Sequence, residues 1–268
     1  MNNDFVPFRP KKLWWRRLRF ALRYLKNRHG FKVHSPFIFR LITQVIEEKW
    51  DYYAYQDIQT CIWEMQDSES EITVCLDGGK RGKTVPVSVF MKRYDITPSH
   101  GELLFRLCNF FHPEHILQIG AGSGLATLYL SWYAPGLNMA VIDEVNSYCS
   151  ELVEELLKKY HRSVPLSYEG EVCGMLPKAL DRMDGLDMIY ICRIQDRKSY
   201  QSVFEKCLPK CNEKTVLVID GIQENEDMRA FWKNVCANPA VSVYIDLFSL
   251  GIAFFNPHLH KRGYQLFF

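Results

Sequence analysis

Three glycines alternate with other residues directly after a short apolar segment of this 268-residue chain. The segment His115–Ile119 has the character of a buried strand, and Gly120, Gly122 and Gly124 follow it. The apolar residues of Leu125–Tyr133 then predict a helix packed back on a sheet. Glycine lets a backbone approach a ligand because it has no Cβ, and a helix start presents unpaired N–H groups. The pattern predicts a ligand-binding turn; a glycine-rich turn without a ligand is the alternative.

An acidic residue stands where the second half of such a site belongs. The segment Met139–Asp143 predicts the next strand, and Asp143 lies 23 residues after Gly120. In dinucleotide sites an acid about 20 residues past the glycines accepts hydrogen bonds from ribose hydroxyls. Glu144 comes next, so either acid can fill this role. The dinucleotide motif needs a third glycine where this chain has Leu125. The observed spacing is instead typical of folds that bind S-adenosylmethionine (SAM).

Residues 116–124 resemble motif I of class I SAM-dependent methyltransferases. The resemblance extends over residues 98–268, where the alternation of strands and helices is similar to the small-molecule, catechol-type O-methyltransferase branch. Residues 34–40 and 101–107 also resemble a bacterial subgroup of methyltransferases. Together with the strand ends, the resemblance implies a SAM site formed by these residues: Gln118, Gly120, Ala121, Gly122, Ser123, Gly124, Asp143, Glu144, Glu171 and Cys192.

The chain departs from that family at three positions. Motif I usually has an acidic residue where this chain has Gln118. The metal-dependent enzymes end strand four with Asp and strand five with Asp-Asn or Asp-Asp, whereas this chain has Cys192 and Asp220-Gly221. A thiol is a poor ligand for Mg²⁺ or Ca²⁺, so we expect no metal. Asp220 is the candidate catalytic base or substrate anchor, and a helix cap is its alternative role.

These residues predict methyl transfer to oxygen or nitrogen of an unidentified small molecule. The departures leave open a catalytically degenerate protein that acts through interactions. Two further groups are candidates for the pocket. His100 and His34 can line its mouth, and the tyrosines at 52, 53 and 55 can form its roof, although packing roles are the alternative for all of them.

Alternating strands and helices predict a doubly wound, mostly parallel seven-stranded α/β sheet of Rossmann-like methyltransferase type. Residues 98–268 form this SAM-binding domain, and residues 1–97 form an N-terminal helical cap. Ligands in such sheets bind beyond the carboxyl ends of the strands, so Asp143, Glu171, Cys192 and Asp220 are expected on one edge with the glycines. The predicted strands are 115–119, 139–143, 164–168, 186–192, 214–219 and 241–247, and the apolar segments 251–255 and 264–268 are expected to form a closing hairpin or edge.

Composition and charge indicate where the protein is located and suggest nucleic acid as a second candidate partner. Nine cysteines, an odd number without a C-x-x-C pair, favour a reducing cytoplasm over a disulfide framework. No apolar stretch reaches the roughly 18 residues of a membrane span. Residues 1–35 carry +9 and the remainder −7. The basic helix expected at 11–28 therefore either packs on the acidic remainder, which we favour, or binds nucleic acid.

Overall fold

The computed structural model describes residues 35–76, 81–143, 150–192, 199–266 and 268. The predicted basic helix at 11–28, His34 and Glu144 lie outside the described residues. No helix within the described ranges is long and apolar enough to cross a membrane.

The elements follow the predicted alternation of strands and helices. The helices are α1 Pro36–Leu41, α2 Tyr53–Asp67, α3 Val87–Tyr94, α4 Pro98–Phe111, α5 Leu125–Trp132, α6 Ser150–Lys159, α7 Val172–Leu180, α8 Ser199–Cys207 and α9 Glu226–Ala237. The strands are β1 Glu71–Leu76, β2 Arg81–Pro86, β3 His115–Ile119, β4 Asn138–Asp143, β5 Leu166–Glu169, β6 Leu186–Ile191, β7 Cys211–Asp220, β8 Val243–Asp246, β9 Leu250–Phe254 and β10 Arg262–Gln265. A π-helical turn, Ile42–Ile46, follows α1, and a 3₁₀ turn, Leu208–Lys210, follows α8.

The main sheet confirms the predicted doubly wound, mostly parallel α/β fold. Its strand order is β10-β8-β9-β7-β6-β3-β4-β5, and only β9 runs antiparallel to its neighbours. The sheet has eight strands rather than seven, because β10 adds a parallel edge strand beside β8. The two C-terminal segments do not pair with each other. The first of them, β9, lies between β7 and β8, which explains why all five of its residues are buried. The second, β10, forms one edge of the sheet.

The side chains of each strand alternate between two cores. Ile116 and Val216 face a cluster that also contains residues of α1 to α6. Leu117 and Leu217 face a second cluster under α7, α8 and α9. A parallel sheet covered by helices on both faces explains why its strands are almost continuously apolar.

The N-terminal helices belong to the first of these cores. Ser35 caps α1, with its Oγ accepting a hydrogen bond of 3.4 Å from Ile38 N. The α-helix ends at Leu41, and the π-helical turn that follows it ends at Ile46. Side chains from α1, α2 and α3 share one hydrophobic cluster with α4 and α5. The division of the chain at residue 97 therefore stays a proposal about function.

A buried arginine ties these helices to α4. Arg106 is 5% exposed, and its Nε donates a hydrogen bond of 2.7 Å to the carbonyl oxygen of Val45 in the π-helical turn. Its guanidinium also donates to the Tyr55 hydroxyl at 3.4 Å and lies 3.9 Å from a Glu102 carboxylate oxygen. A buried charge needs such partners, so Arg106 fixes where α1 and α2 dock.

We expect Arg106→Leu to lower the free energy of unfolding by about 2–3 kcal/mol, because it leaves a buried carbonyl and a hydroxyl without their charged donor. Urea unfolding followed by circular dichroism measures the loss. Arg229→Leu is the matched control, since Arg229 pairs at 3.7 Å with the 95% exposed Glu226 and should cost less than about 1 kcal/mol. Equal losses in the two variants would contradict the assignment.

Candidate active site

The carboxyl ends of the central parallel strands meet at one edge of the sheet. Gly120 N donates to the carbonyl oxygen of Ile142 at 2.8 Å, and Cys192 N donates to that of Ile119 at 2.8 Å. These hydrogen bonds continue the ladders one residue beyond β3 and β6. The glycine turn, Asp143, Cys192 and Asp220 consequently lie on the same edge, as the predicted topology requires.

The glycine turn uses backbone angles that favour glycine at all three predicted positions. The φ angles are 81° at Gly120, 61° at Gly122 and 97° at Gly124. Gly124 is the N-cap residue of α5, and no side chain caps that helix start. A side chain at these positions would strain the turn, so the glycine spacing is a requirement of this backbone.

Two buried polar side chains hold the turn in place. Asp143 is 4% exposed, and its Oδ1 accepts a hydrogen bond of 3.0 Å from Ala121 N. The Gln118 side chain is fully buried; its Nε2 donates to Gly120 O at 3.1 Å, and its Oε1 accepts from Thr127 Oγ1 at 3.0 Å. Gln118 thus shapes the turn from below, and direct contact between Gln118 and a cofactor stays a prediction.

A third polar group reaches the turn from the N-terminal region. Asp95 lies between α3 and α4, and its Oδ2 accepts a hydrogen bond of 3.2 Å from Ser123 N and a second one from Ser123 Oγ. Its Oδ1 accepts from Ile96 N at 2.8 Å. A Cβ added to Gly122 would lie 3.3 Å from Asp95 Oδ1 and 3.5 Å from Phe90 Cε1. The N-terminal region therefore contributes a carboxylate and an aromatic ring to this edge.

The candidate base Asp220 lies at the end of β7 beside a histidine. Its Oδ1 is 3.4 Å from His100 Nδ1, and the Cys192 thiol is 3.8 Å from its Oδ2. His100 Nε2 is 3.0 Å from the Ser249 hydroxyl, in the turn between β8 and β9. The structure therefore brings together Asp220, Cys192 and His100, three residues considered separately in the sequence.

A buried tyrosine faces the same group of residues. The Tyr190 hydroxyl has no hydrogen-bond partner of ordinary geometry among the described residues, and a thiol such as that of Cys192 is a weak partner. Burial raises the pKa of Tyr190 well above its ordinary value, and the acidic groups of Cys192, Asp220 and Asp95 raise it further. A buried hydroxyl with only a weak partner is unfavourable, so a polar ligand group at this edge would stabilise Tyr190.

The remaining predicted residues lie farther from this centre. Glu171 is exposed at the start of α7, next to Gly170, whose N–H donates to Asp143 O at 3.0 Å. It lies at the same edge, one strand beyond Asp143. Among the predicted roof residues, Tyr55 contacts Arg106 and packs against the ring of Phe105, and Tyr53 is 88% exposed.

Sequence reasoning missed three residues of the site. Asp95 precedes an ordinary capped helix, Tyr190 lies within an apolar strand, and Ser249 lies in a short turn. Only the turn that carries Ser249 has a local signal in the sequence. This signal is Asp246, whose Oδ1 accepts a hydrogen bond of 2.8 Å from Phe248 N. Nothing near Asp95 or Tyr190 in the sequence distinguishes them from packing residues.

The described residues at this edge do not include a set of metal ligands. Within the ranges that the structure describes, no three His, Cys, Asp or Glu side chains form a group suited to metal binding. Asp220 instead faces His100 and the Cys192 thiol. A hard cation prefers several oxygen ligands, and Asp220 is the one carboxylate in this group of three described residues.

Comparison with known proteins places this fold beside that of O-methyltransferases. No protein family model matches the chain, and no curated protein matches its sequence. The O-methyltransferase from Bacillus cereus in complex with SAH is 15% identical over 81% of this chain and 97% of that chain, with a TM-score of 0.52. TomG from Streptomyces achromogenes, in complex with SAM, is 15% identical over 82% and 95%, with a TM-score of 0.53. The SAH-bound methyltransferase PaMTH1 from Podospora anserina is 11% identical over 84% and 98%, with a TM-score of 0.54. At these identities the similarity shows a shared fold.

We expect Gly122→Ala to destabilise the protein more than Gly136→Ala. Both glycines have positive φ, 61° and 79°, so both variants incur backbone strain of about 1–2 kcal/mol. A Cβ at Gly136 meets open space, whereas one at Gly122 presses on the Asp95 carboxylate. Weakening the hydrogen bonds from Ser123 should add about 1–2 kcal/mol, measured by urea unfolding. Equal destabilisation would show that Asp95 does not pack over the turn.

Proposed function

We propose that this protein is a SAM-dependent methyltransferase that acts on an oxygen or nitrogen of a small molecule without a metal. The observation that carries the proposal is the glycine turn after β3, with Asp143 at the end of β4 hydrogen-bonded to Ala121 N at 3.0 Å. The shared fold with methyltransferases solved with SAM or SAH supports the choice of ligand.

The described residues provide a distinct contact for each part of this cofactor. The turn offers a close backbone surface at Gly120, Gly122 and Gly124. The Asp143 carboxylate would accept hydrogen bonds from the ribose hydroxyls. When bound, SAM supplies a methyl group on a positively charged sulfur that becomes a neutral thioether after transfer. The Tyr190 hydroxyl, whose described partner is at best the weak Cys192 thiol, would gain a stronger one.

The charge around the turn favours SAM over a dinucleotide. Asp95 lies against Gly122 and Ser123, and Asp220 lies at the neighbouring strand end. Carboxylates attract the sulfonium and ammonium groups of SAM, whereas they repel the pyrophosphate of NAD. Asp95 thus occupies a position where a pyrophosphate-binding turn needs to be unobstructed.

In this proposal the N-terminal region covers the glycine turn as a cap. Phe90 and Asp95 reach over the turn from α3 and the segment after it. Excluding water above the turn would strengthen each electrostatic contact and help an acceptor to approach in line. We therefore propose that residues 1–97 are required for activity.

Titration calorimetry with SAM, SAH and NAD tests the proposal. We expect SAM and SAH to bind and NAD to bind more weakly. Asp143→Asn should weaken SAM binding by about 1–3 kcal/mol, because an amide retains one acceptor for Ala121 N but loses the charge that attracts ribose hydroxyls. Tighter binding of NAD than of SAM would overturn the proposal.

Asp187→Asn is the matched control for that titration. Asp187 starts β6 at the opposite edge of the sheet and also accepts backbone hydrogen bonds, from Glu114 N and His115 N at 3.0 Å each. Its replacement should leave SAM affinity unchanged. An equal loss in both variants would show that general stability, rather than a ribose contact, governs the result.

We expect SAM binding and methyl transfer to persist in a chelator, because Cys192 and Gly221 replace oxygen ligands at the two strand ends. Calorimetry with SAM, before and after dialysis against EDTA, measures the first. Product formation from radiolabelled SAM measures the second. Activity that disappears in EDTA and returns with Mg²⁺ would contradict the metal-independent part of the proposal.

A further inference from the structure

His100 has a carboxylate on one ring nitrogen and a hydroxyl on the other. Its Nδ1 is 3.4 Å from Asp220 Oδ1, and its Nε2 is 3.0 Å from Ser249 Oγ. These three residues come from α4, β7 and the turn between β8 and β9. Each lies at the edge of the sheet that carries the glycine turn, and none belongs to the glycine motif itself.

The carboxylate determines which nitrogen of His100 can accept a proton. A neutral imidazole has one N–H donor and one acceptor nitrogen. Asp220 can only accept when ionised, so the proton is favoured on Nδ1, which leaves Nε2 as the acceptor. The hydroxyl of Ser249 then donates to Nε2. An O–H group therefore fits at this nitrogen in a partly buried position, where His100 is 15% exposed.

Backbone strain fixes the turn that carries Ser249. Phe248 has a φ of 71°, in the left-handed region that bulky residues rarely adopt. The carbonyl oxygen of Ser249 accepts hydrogen bonds from Gly221 N at 2.8 Å and Ile222 N at 3.3 Å, next to Asp220. Strain held by surrounding contacts is common at functional sites. The turn thus keeps Ser249 close to Asp220 and His100.

A second observation supports a ligand beside these residues. The fully buried hydroxyl of Tyr190 has no hydrogen-bond partner of ordinary geometry among the described residues beyond the weak Cys192 thiol, and Asp220 also acts on it electrostatically. The ring of Phe268 lies 6.1 Å from the His100 ring, at an angle of 31°. The surroundings of His100 therefore combine an aromatic wall with a polar group that has only a weak partner.

We propose that His100 is the general base that removes the proton from an acceptor hydroxyl, with Asp220 as its positioning residue. This inference rests on the proposed methyltransferase function. In the step, the acceptor O–H bond breaks and an N–H bond forms at His100 Nε2, while the electron pair stays on oxygen. The imidazolium so formed is balanced by the Asp220 carboxylate at Nδ1. The acceptor hydroxyl replaces the Ser249 hydroxyl at Nε2.

The described residues contain a second histidine–aspartate pair that can be compared with His100 and Asp220. His115 Nδ1 lies 3.4 Å from Asp187 Oδ2, the same separation as between His100 and Asp220. That pair lies at the opposite edge of the sheet, at the starts of β3 and β6. The Asp187 oxygen also accepts hydrogen bonds from two backbone N–H groups, so this carboxylate stabilises the start of β3. His115→Gln is therefore the matched control for His100→Gln.

The first measurement needs no turnover. The protein is saturated with SAH, and 4-nitrophenol is added as a chromogenic hydroxyl probe whose phenolate band reports its ionisation. We expect the bound probe to be more ionised than the free probe in wild type and His115→Gln. His100→Gln should lose this difference. Calorimetry with SAH gives the cofactor affinity of each variant, which should change less than about twofold because His100 faces the acceptor.

The second measurement compares acceptors of different acidity. With SAM and a series from 4-nitrophenol to 4-methylphenol, His100→Gln should lose about 10²–10⁴-fold in rate on the weakly acidic phenol. It should lose far less on 4-nitrophenol, which ionises without help. Free imidazole should restore part of the rate of His100→Ala. Asp220→Asn should lower kcat on the weakly acidic phenol, and it provides a second test if His100→Gln does not fold.

The outcomes distinguish the role of His100 from the proposed function. Equal losses for all phenols, no rescue by imidazole, or a probe equally ionised in His100→Gln and wild type would overturn the role of His100. A wild-type protein that binds SAM but methylates no phenol would also overturn it, while leaving the cofactor assignment intact. Failure to bind SAM would instead overturn the proposed function.

Discussion

The parallel pairing of β3 with β4 and β6 is the constraint on which the rest of the site depends. Parallel strands end at the same edge, so this pairing alone brings the glycine turn, Asp143 and Cys192 together. The backbone hydrogen bonds continue past the strand ends, from Gly120 to Ile142 and from Cys192 to Ile119, which leaves little freedom in the position of the turn. Helices on both faces then bury the strands and exclude water from the ladder.

Carboxylates connect that edge to the surrounding parts of the molecule. Asp143 binds the turn from β4, and Asp95 binds it from the N-terminal region. Because both accept backbone N–H groups of one turn, a shift of the N-terminal helices would move a charge above the turn. Arg106 resists such a shift by holding the Val45 carbonyl from α4. The docking of the N-terminal helices and the charge of the candidate cofactor site are therefore physically coupled.

Two residues at positions where the chain departs from the resembled family, Gln118 and Asp220, have specific contacts in the fold. Gln118 supports the turn through Gly120 and Thr127 without a charge. Asp220, at the strand end where the resembled metal-dependent enzymes have metal ligands, faces a histidine. Under the proposed function, this imidazole can generate an anionic nucleophile, because a suitably positioned nitrogen can accept the proton.

Local patterns in the chain were sufficient for most of the strands and helices and for the glycine turn, but not for the pairing of the last two strands. Hydrophobic periodicity is a property of neighbouring residues, and a positive φ at Gly120, Gly122 and Gly124 can be inferred from the glycines themselves. Asp143 could be identified because it follows one strand further along the chain. The partnership of His100 with Ser249, 149 residues away, could not, nor could the contact of Asp95 with Ser123. Such contacts depend on how packed elements meet, and no local pattern encodes that distance.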